Sequence, residues 1–224
     1  MIRKTLFAIG LTALAVAGGC IISDEVSTLT IRPDGSADWV KFRSNIRSSE
    51  SGEKGAQELK AFVEDFDAHR DADYQEITKA GGTVVESRWL RKEEPYSTVA
   101  VARFPTMASL VEYSTSRGDK GEVVTQPRYT QDGKRRKLSV TYHVPKDFKP
   151  QPKPTAEELR QERASGLSET RVVVAGGQIL AARGFIIASD KRSALLDNEQ
   201  LREWLSTERE KIELFLEWEV APAN

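Results

Sequence analysis

The densest set of side chains with ligating or proton-transfer chemistry lies at residues 64–76, EDFDAHRDADYQE. Asp65, Asp67, Asp71, Asp73 and Glu76 stand at offsets one, three, seven, nine and twelve, where a calcium loop places oxygen donors. Position five is His69, and position six, where such a loop needs glycine, is Arg70. The run also overlaps a helical pattern through Phe62 and Phe66. On an intact helix residues two apart point in different directions, while Asp65, His69 and Asp73 share a face. The spacing is therefore read as a solvated helix face in preference to a metal site. His69 and His143 are the only histidines, and neither lies in a G-x-S-x-G or H-E-x-x-H pattern. The single cysteine, Cys20, leaves no thiol in the rest of the chain. A pair of carboxylates would leave no local signature. The expectation is a protein that is not an enzyme and holds no metal and no cofactor. Gly176-Gly177 and Gly184 follow apolar strands but lack G-x-G-x-x-G spacing, and they read as tight turns. Lys134, Arg135, Arg136 and Lys137 form a basic cluster with two readings. One is contact with anionic head groups, at about 1 kcal/mol per charge; the other is a solvated tip that protects a sheet edge.

Cys20 carries the strongest signal through what precedes it. Arg3 and Lys4 are followed by an apolar stretch from Leu6 to Ala17, and then by the small residues Gly18 and Gly19. A bilayer-spanning helix needs roughly 20 apolar residues, so the stretch matches the core of a signal peptide. The order of parts resembles the lipobox of bacterial lipoproteins, with Ala17 where the family usually has leucine. That resemblance implies cleavage after Gly19 and acyl chains on Cys20. Each buried CH₂ contributes about 0.8 kcal/mol, so two or three chains hold a protein stably on a membrane. The expected organisation is a signal peptide at 1–19, a lipidated N-terminus and tether at 20–25, and one domain at 26–220. Ile21 after the cysteine, in place of Asp, favours the outer membrane in a Gram-negative source. The folded part then faces an extracytoplasmic space.

The elements that must position these residues are legible by period and punctuation. Val26–Arg32 and Ala37–Arg43 alternate around the turn Pro33-Asp34-Gly35-Ser36 and predict a β-hairpin. Residues 44–55 are polar and read as an exposed loop. Leu59, Phe62, Val63, Phe66, Tyr74 and Ile77 recur at helical spacing, with a break expected near Ala68–Asp73 and an end at Gly81-Gly82. Thr83–Leu90 and Ser97–Phe104 pair next. Thr106 then caps a short helix to Tyr113, and a polar loop occupies 114–121. Glu122–Thr130 and Arg135–Val144 flank the hairpin signal Asp132-Gly133. Pro145–Pro154 is a Pro-rich linker with extended character, and Thr155 caps a charged helix after it. Strands follow at Thr170–Ala175, Gln178–Ala182, Phe185–Ala188 and Ser193–Leu196. Asp197 or Asn198 caps a helix through Leu201 and Trp204. Lys211–Val220 closes the chain with Ile212, Leu214, Leu216 and Trp218 on one face. The prediction is α+β: a mainly antiparallel sheet, shared across the linker, with one longer amphipathic helix and two or three short helices.

The chain has 224 residues with a net charge of −1, and 30% of them are charged. That balance lacks the basic excess of a nucleic-acid binder. Several segments in order resemble the LppM-type domain of bacterial lipoproteins: TLTIRPDGSADWVKF, the helix ending at Gly81-Gly82, VVESRWL, STVAVARFPTMASLVEY and VVVAGGQILAARGF. The resemblance implies a ligand-binding sheet-and-helix domain facing the envelope, with lipids or glycolipids as the ligand class. Its helix-over-sheet pattern predicts an apolar or amphiphilic ligand against Phe62, Phe66, Trp39 and Trp89. The alternative is an interaction lipoprotein docking onto a cell-envelope protein complex, with the charged strand Lys211–Val220 offered as a pairing edge.

Overall fold

The computed structural model describes residues 21–115, 124–144, 168–207 and 211–221. The signal segment, Cys20, most of the loop expected at 114–121, the Pro-rich linker and the helix expected after Thr155 lie outside the described residues. The elements in chain order are β1 (Ile21–Ile31), β2 (Ala37–Ser48), α1 (Gly52–Asp67), α2 (Ala72–Lys79), β3 (Thr83–Arg91), β4 (Tyr96–Phe104) and α3 (Met107–Ser114). They continue with β5 (Val124–Asp132), β6 (Arg135–His143), β7 (Ser168–Val174), β8 (Gly177–Arg183), β9 (Phe185–Ile187), β10 (Ser193–Leu196), α4 (Asn198–Thr207) and β11 (Lys211–Val220).

The strands form two sheets. One has seven strands in the order β3-β4-β2-β1-β7-β10-β9, and the other has four in the order β5-β6-β11-β8. Among the described residues every pairing is antiparallel except β1 with β7. Segments after the linker join both sheets, so pairing does cross the linker, but into two sheets and not one. The period-2 alternation explains the layering. Leu29, Ile31, Trp39, Phe104 and Val172 point to the inner face of the large sheet, where they meet Leu138, Ile179, Leu216 and Trp218 of the small one. Ile77 of α2 and Leu110 of α3 close this core. A second cluster packs Val140, Tyr142, Ile212 and Leu214 against Leu196 and Leu201. Each such fully buried side chain contributes roughly 1.5–3 kcal/mol.

Local signals account for the helix ends. Asp71 Oδ1 accepts the Tyr74 N–H at 3.2 Å and caps α2. At its other end the Gly81 N–H reaches the Thr78 carbonyl and the Gly82 N–H reaches the Ile77 carbonyl. This is the double closure of a Schellman turn, which needs the positive φ of 79° that Gly81 adopts. Asp197 Oδ1 accepts the Gln200 N–H at 3.0 Å, so Asp197 and not Asn198 caps α4. Thr106 Oγ1 accepts the Ser109 N–H at 3.2 Å. Thr106→Ala is expected to cost about 1 kcal/mol in denaturant unfolding, the usual value of an N-cap.

Three expectations change. Residues 21–25, read as a tether, are strand: Ile21 pairs with Ser48 and Ile22 with Arg47. The loop expected at 44–55 is mostly ordered, because β2 runs to Ser48 through a bulge at Asn45 and α1 starts at Gly52. The break expected in the helix pattern near Ala68–Asp73 is present at Ala68–Asp71, where His69 takes a φ of 53°. β11 is not an edge, since it pairs with β6 on one side and β8 on the other, which uses both rows of its backbone groups.

Candidate functional site

Three of the four aromatic residues singled out from the sequence meet where α1 lies over the sheet near edge strand β3. Phe66 and Trp89 have ring centroids 4.8 Å apart, Phe62 lies 6.1 Å from Phe66 and 6.2 Å from Trp89, and Tyr96 completes the group at 5.8 Å from Trp89. Helical spacing brings Phe62 and Phe66 to one face. Phe66 is buried, whereas Phe62, Trp89 and Tyr96 stay half-buried. Asp67 brackets the cluster, accepting from Trp89 Nε1 and from Lys92 Nζ at 2.7 Å each. Those two donors hold its carboxyl below the usual carboxylate range. The cluster is thus an apolar surface with an ion pair at its rim. Tyr96 and Lys92 had no sequence signal beyond their place at the β3–β4 turn.

Trp39 is not part of this group. It points to the inner face, 1% exposed, with its ring 5.5 Å from Tyr113. Strand alternation decides this: Trp39 shares the face of Ala37 and Lys41. Its indole N–H has no partner among the described residues.

The space between α2 and the large sheet is small and polar. A pocket of about 20 Å³ is lined by Lys41, Arg43, Phe66, Asp71, Asp73 and Ile77, among others. That is room for about one water. Beside it Lys41 Nζ sits 2.9 Å and Arg43 Nη2 2.7 Å from Asp73 Oδ2, and Glu25 lies 3.6 Å from Lys41 and 3.4 Å from Arg43. Lys41 is 2% exposed and also lies 4.4 Å from the centre of the Trp39 ring. Burial opposes the charge of Asp73, yet Lys41 and Arg43 outweigh it and hold the carboxyl at about 2. Burial pushes the Asp71 carboxyl up. Burial also opposes the Arg43 charge, but Asp73 and Glu25 win and raise its affinity for the proton. A signal for this network existed in the sequence: Lys41 and Arg43 continue the inward register of Ala37 and Trp39.

The remaining candidates have separate partners. The acidic run does not converge: Asp65 pairs with Arg70, Asp67 with Lys92, Asp71 caps α2 and Asp73 joins the buried network. His69 stacks on Tyr74 at 5.2 Å. In the basic cluster Arg136 donates to the Tyr129 hydroxyl and to the Pro33 carbonyl. Arg135 lies 4.0 Å from Glu217, and Lys137 lies 3.5 Å from Glu213 and over the Phe215 ring. Three of these four cations therefore engage groups of their own chain.

No protein-family model matches the chain, and no curated protein matches its sequence. Among solved structures it is similar to the folded domain of Mycobacterium tuberculosis LppM, with a TM-score of 0.43, 11% identity and coverage of 99% of this chain and 98% of that one. It is also similar to an M1 zinc metallopeptidase from Deinococcus radiodurans, with a TM-score of 0.32, 9% identity and coverage of 96% of this chain and 44% of that one. Likenesses at this level carry no ligand and no activity across to this chain.

Proposed function

We propose that this protein is an extracytoplasmic lipoprotein, held on a membrane by acyl chains on Cys20, whose folded part acts by surface recognition and not by chemistry. The observation that supports recognition over ligand enclosure is the small size of the space under α2 among the described residues. About 20 Å³ lies between α2 and the sheet, against the roughly 300 Å³ or more of a small-molecule pocket. The anchor rests on Arg3-Lys4, the apolar stretch at 6–17 and the small residues before Cys20. No helix of the described residues is long and apolar enough to cross a membrane. With β1 starting at Ile21, an acylated Cys20 adjoins the folded domain with no flexible spacer. In a two-membrane cell Ile21 favours the outer membrane.

Cys20→Ser tests the anchor. The variant is expected to escape acylation and so to keep its first nineteen residues, as read by intact-mass measurement against the acylated wild type. Wild-type retention of the variant on membranes, with normal processing, sinks the proposal.

A second reading has a specific observation behind it. The half-buried Phe62, Trp89 and Tyr96, with the Asp67–Lys92 ion pair at their rim, offer an apolar surface and a polar bracket to an amphiphile. Native mass spectrometry of the gently extracted protein is expected to show bound lipid under this reading, with loss in Trp89→Ala. Consistently empty wild-type protein removes it.

A further inference from the structure

The outer face of the seven-stranded sheet is apolar at its centre. Val26, Val40 and Phe42 are 44%, 37% and 36% exposed, whereas their inward neighbours Leu29 and Trp39 are 2% and 1% exposed. Among the described residues no element packs over these side chains. Register places them in rows across five strands. One row reads Glu169, Val26, Phe42, Val99, Arg88, and the next reads Arg171, Thr28, Val40, Val101, Glu86. A third row of Val173, Thr30, Asp38 and Arg103 borders the patch with the Asp38–Arg103 ion pair at 2.8 Å.

The four charged corners select the occupant. Glu169 and Arg88 end the first row, and Arg171 and Glu86 end the second; within one chain Arg171 lies 3.7 Å from Glu169 and Arg88 pairs with Glu86, so a second copy would share these charges in a four-group network. Adjacent corners differ in sign and diagonal corners agree. A two-fold rotation lying in the face, either along or across the strands, sets every corner against an opposite charge. Under the along-strand axis Glu169 faces Arg88 of the second copy, Arg171 faces Glu86, and Phe42 and Val40 meet their own equivalents. An apolar centre within a charged rim is the anatomy of a specific interface, and self-complementarity under a two-fold is what an isologous dimer requires.

The area suffices. Five strands about 4.8 Å apart and three rows about 6.8 Å apart cover roughly 500 Å² per chain, or about 1,000 Å² in a pair, where specific interfaces begin. Aligned sheet-on-sheet packing accommodates the twist. We infer that this face is a homodimer interface, in which a second copy of the chain packs its own β7-β1-β2-β4-β3 face on the first. The inference rests on reading the folded part as a recognition module and names the partner.

Cross-linking of the full-length protein in its membrane tests it. Val40→Cys, treated with a short bis-maleimide, is expected to give about tenfold more covalent dimer than wild type, whose one cysteine is Cys20. Thr78→Cys, exposed on α2 behind the other face of the sheet, is expected to match wild type. In the Val40→Cys background Arg171→Glu sets like charges together under either axis and is expected to reduce the dimer by about tenfold. Adding Glu86→Arg restores complementarity for the along-strand axis, and adding Glu169→Arg instead restores it for the across-strand axis. Rescue by one of the two supports the dimer and gives its axis. Equal yields from Val40→Cys and Thr78→Cys, or rescue by neither double variant, overturn it. Cross-linking of residue 40 to a different protein in place of a second copy also overturns the dimer, and leaves the recognition reading standing.

Discussion

Asp73→Asn is expected to destabilise the protein by about 3 kcal/mol, because it strips the shared acceptor from two buried cations. Asp73 Oδ2 serves both Lys41 Nζ and Arg43 Nη2. Glu25 remains in reach of both, at 3.6 Å and 3.4 Å, which keeps the cost near the lower end for a broken buried pair. The side chain of Lys41 is 2% exposed, so bulk water offsets little of its charge once the Asp73 acceptor is lost. In a domain of this size the loss corresponds to a fall in Tm of roughly 6–12 °C. Lys41→Met in the Asp73→Asn background removes the uncompensated charge and is expected to recover at least half of the loss. A Tm within about 2 °C of wild type for Asp73→Asn would show that the network contributes little.

The same network sets an acid limb. Asp73 sits at about 2 in the folded protein against an unperturbed 3.8. A carboxyl lowered on folding stabilises the native state above its unfolded value, and that stabilisation fades as pH falls through the folded one. Between pH 4 and pH 2 the wild type is therefore expected to lose about 2 kcal/mol from this group, at 1.36 kcal/mol per unit. Asp73→Asn should show a correspondingly flatter acid limb in urea titrations across that window. Equal slopes in the two proteins would assign the acid sensitivity to other carboxylates.

Gly184→Ala is expected to cost roughly 3–4 kcal/mol, the sum of two terms. Gly184 is the single residue between β8 in the four-stranded sheet and β9 in the seven-stranded sheet, and it turns the corner with a φ of 77°. An L-residue there costs about 1–2 kcal/mol in backbone strain. A Cβ would also stand 2.4 Å from Leu214 Cδ2 and 3.3 Å from the Trp204 ring. Leu214 is fully buried, so it cannot swing into solvent, and overpacking adds about 1–3 kcal/mol. Gly133→Ala is the matched control. Its φ is 56° with nothing within 4 Å of the added Cβ, so only the backbone term of about 1–2 kcal/mol applies. Chemical denaturation of both variants checks the difference. Equal costs would mean that Leu214 and Trp204 repack freely and that the corner is not tightly held.

Much of the local structure was legible in the sequence because its causes lie within a few residues. Pro33-Asp34-Gly35 and Asp132-Gly133 mark two hairpin turns, and Arg32 and Gly35 close the first with a backbone bond of 3.0 Å. Thr106, Asp197 and Gly81-Gly82 announce helix ends through caps that bond to their own neighbours. The aromatic group of Phe62, Phe66 and Trp89 was legible in part, since helical spacing aligns the first two. Trp39 was misplaced with them because two aromatic strand residues look alike until the direction of the sheet's inner face is known.

By its own residue order the chain determined its turns, caps, strand alternation and the division of helix from strand, all set by φ preferences and hydrogen bonds of short reach. Tertiary structure alone decided that the strands form two sheets, that β7 runs parallel to β1 across 143 positions from Ser27 to Thr170, and that β11 lies inside a sheet. It also decided that Lys41 and Arg43 face Asp73 and that Val26, Val40 and Phe42 share an open face. Those outcomes depend on which backbone edges find each other after collapse, and pairing energy between distant segments leaves no periodicity in either of them.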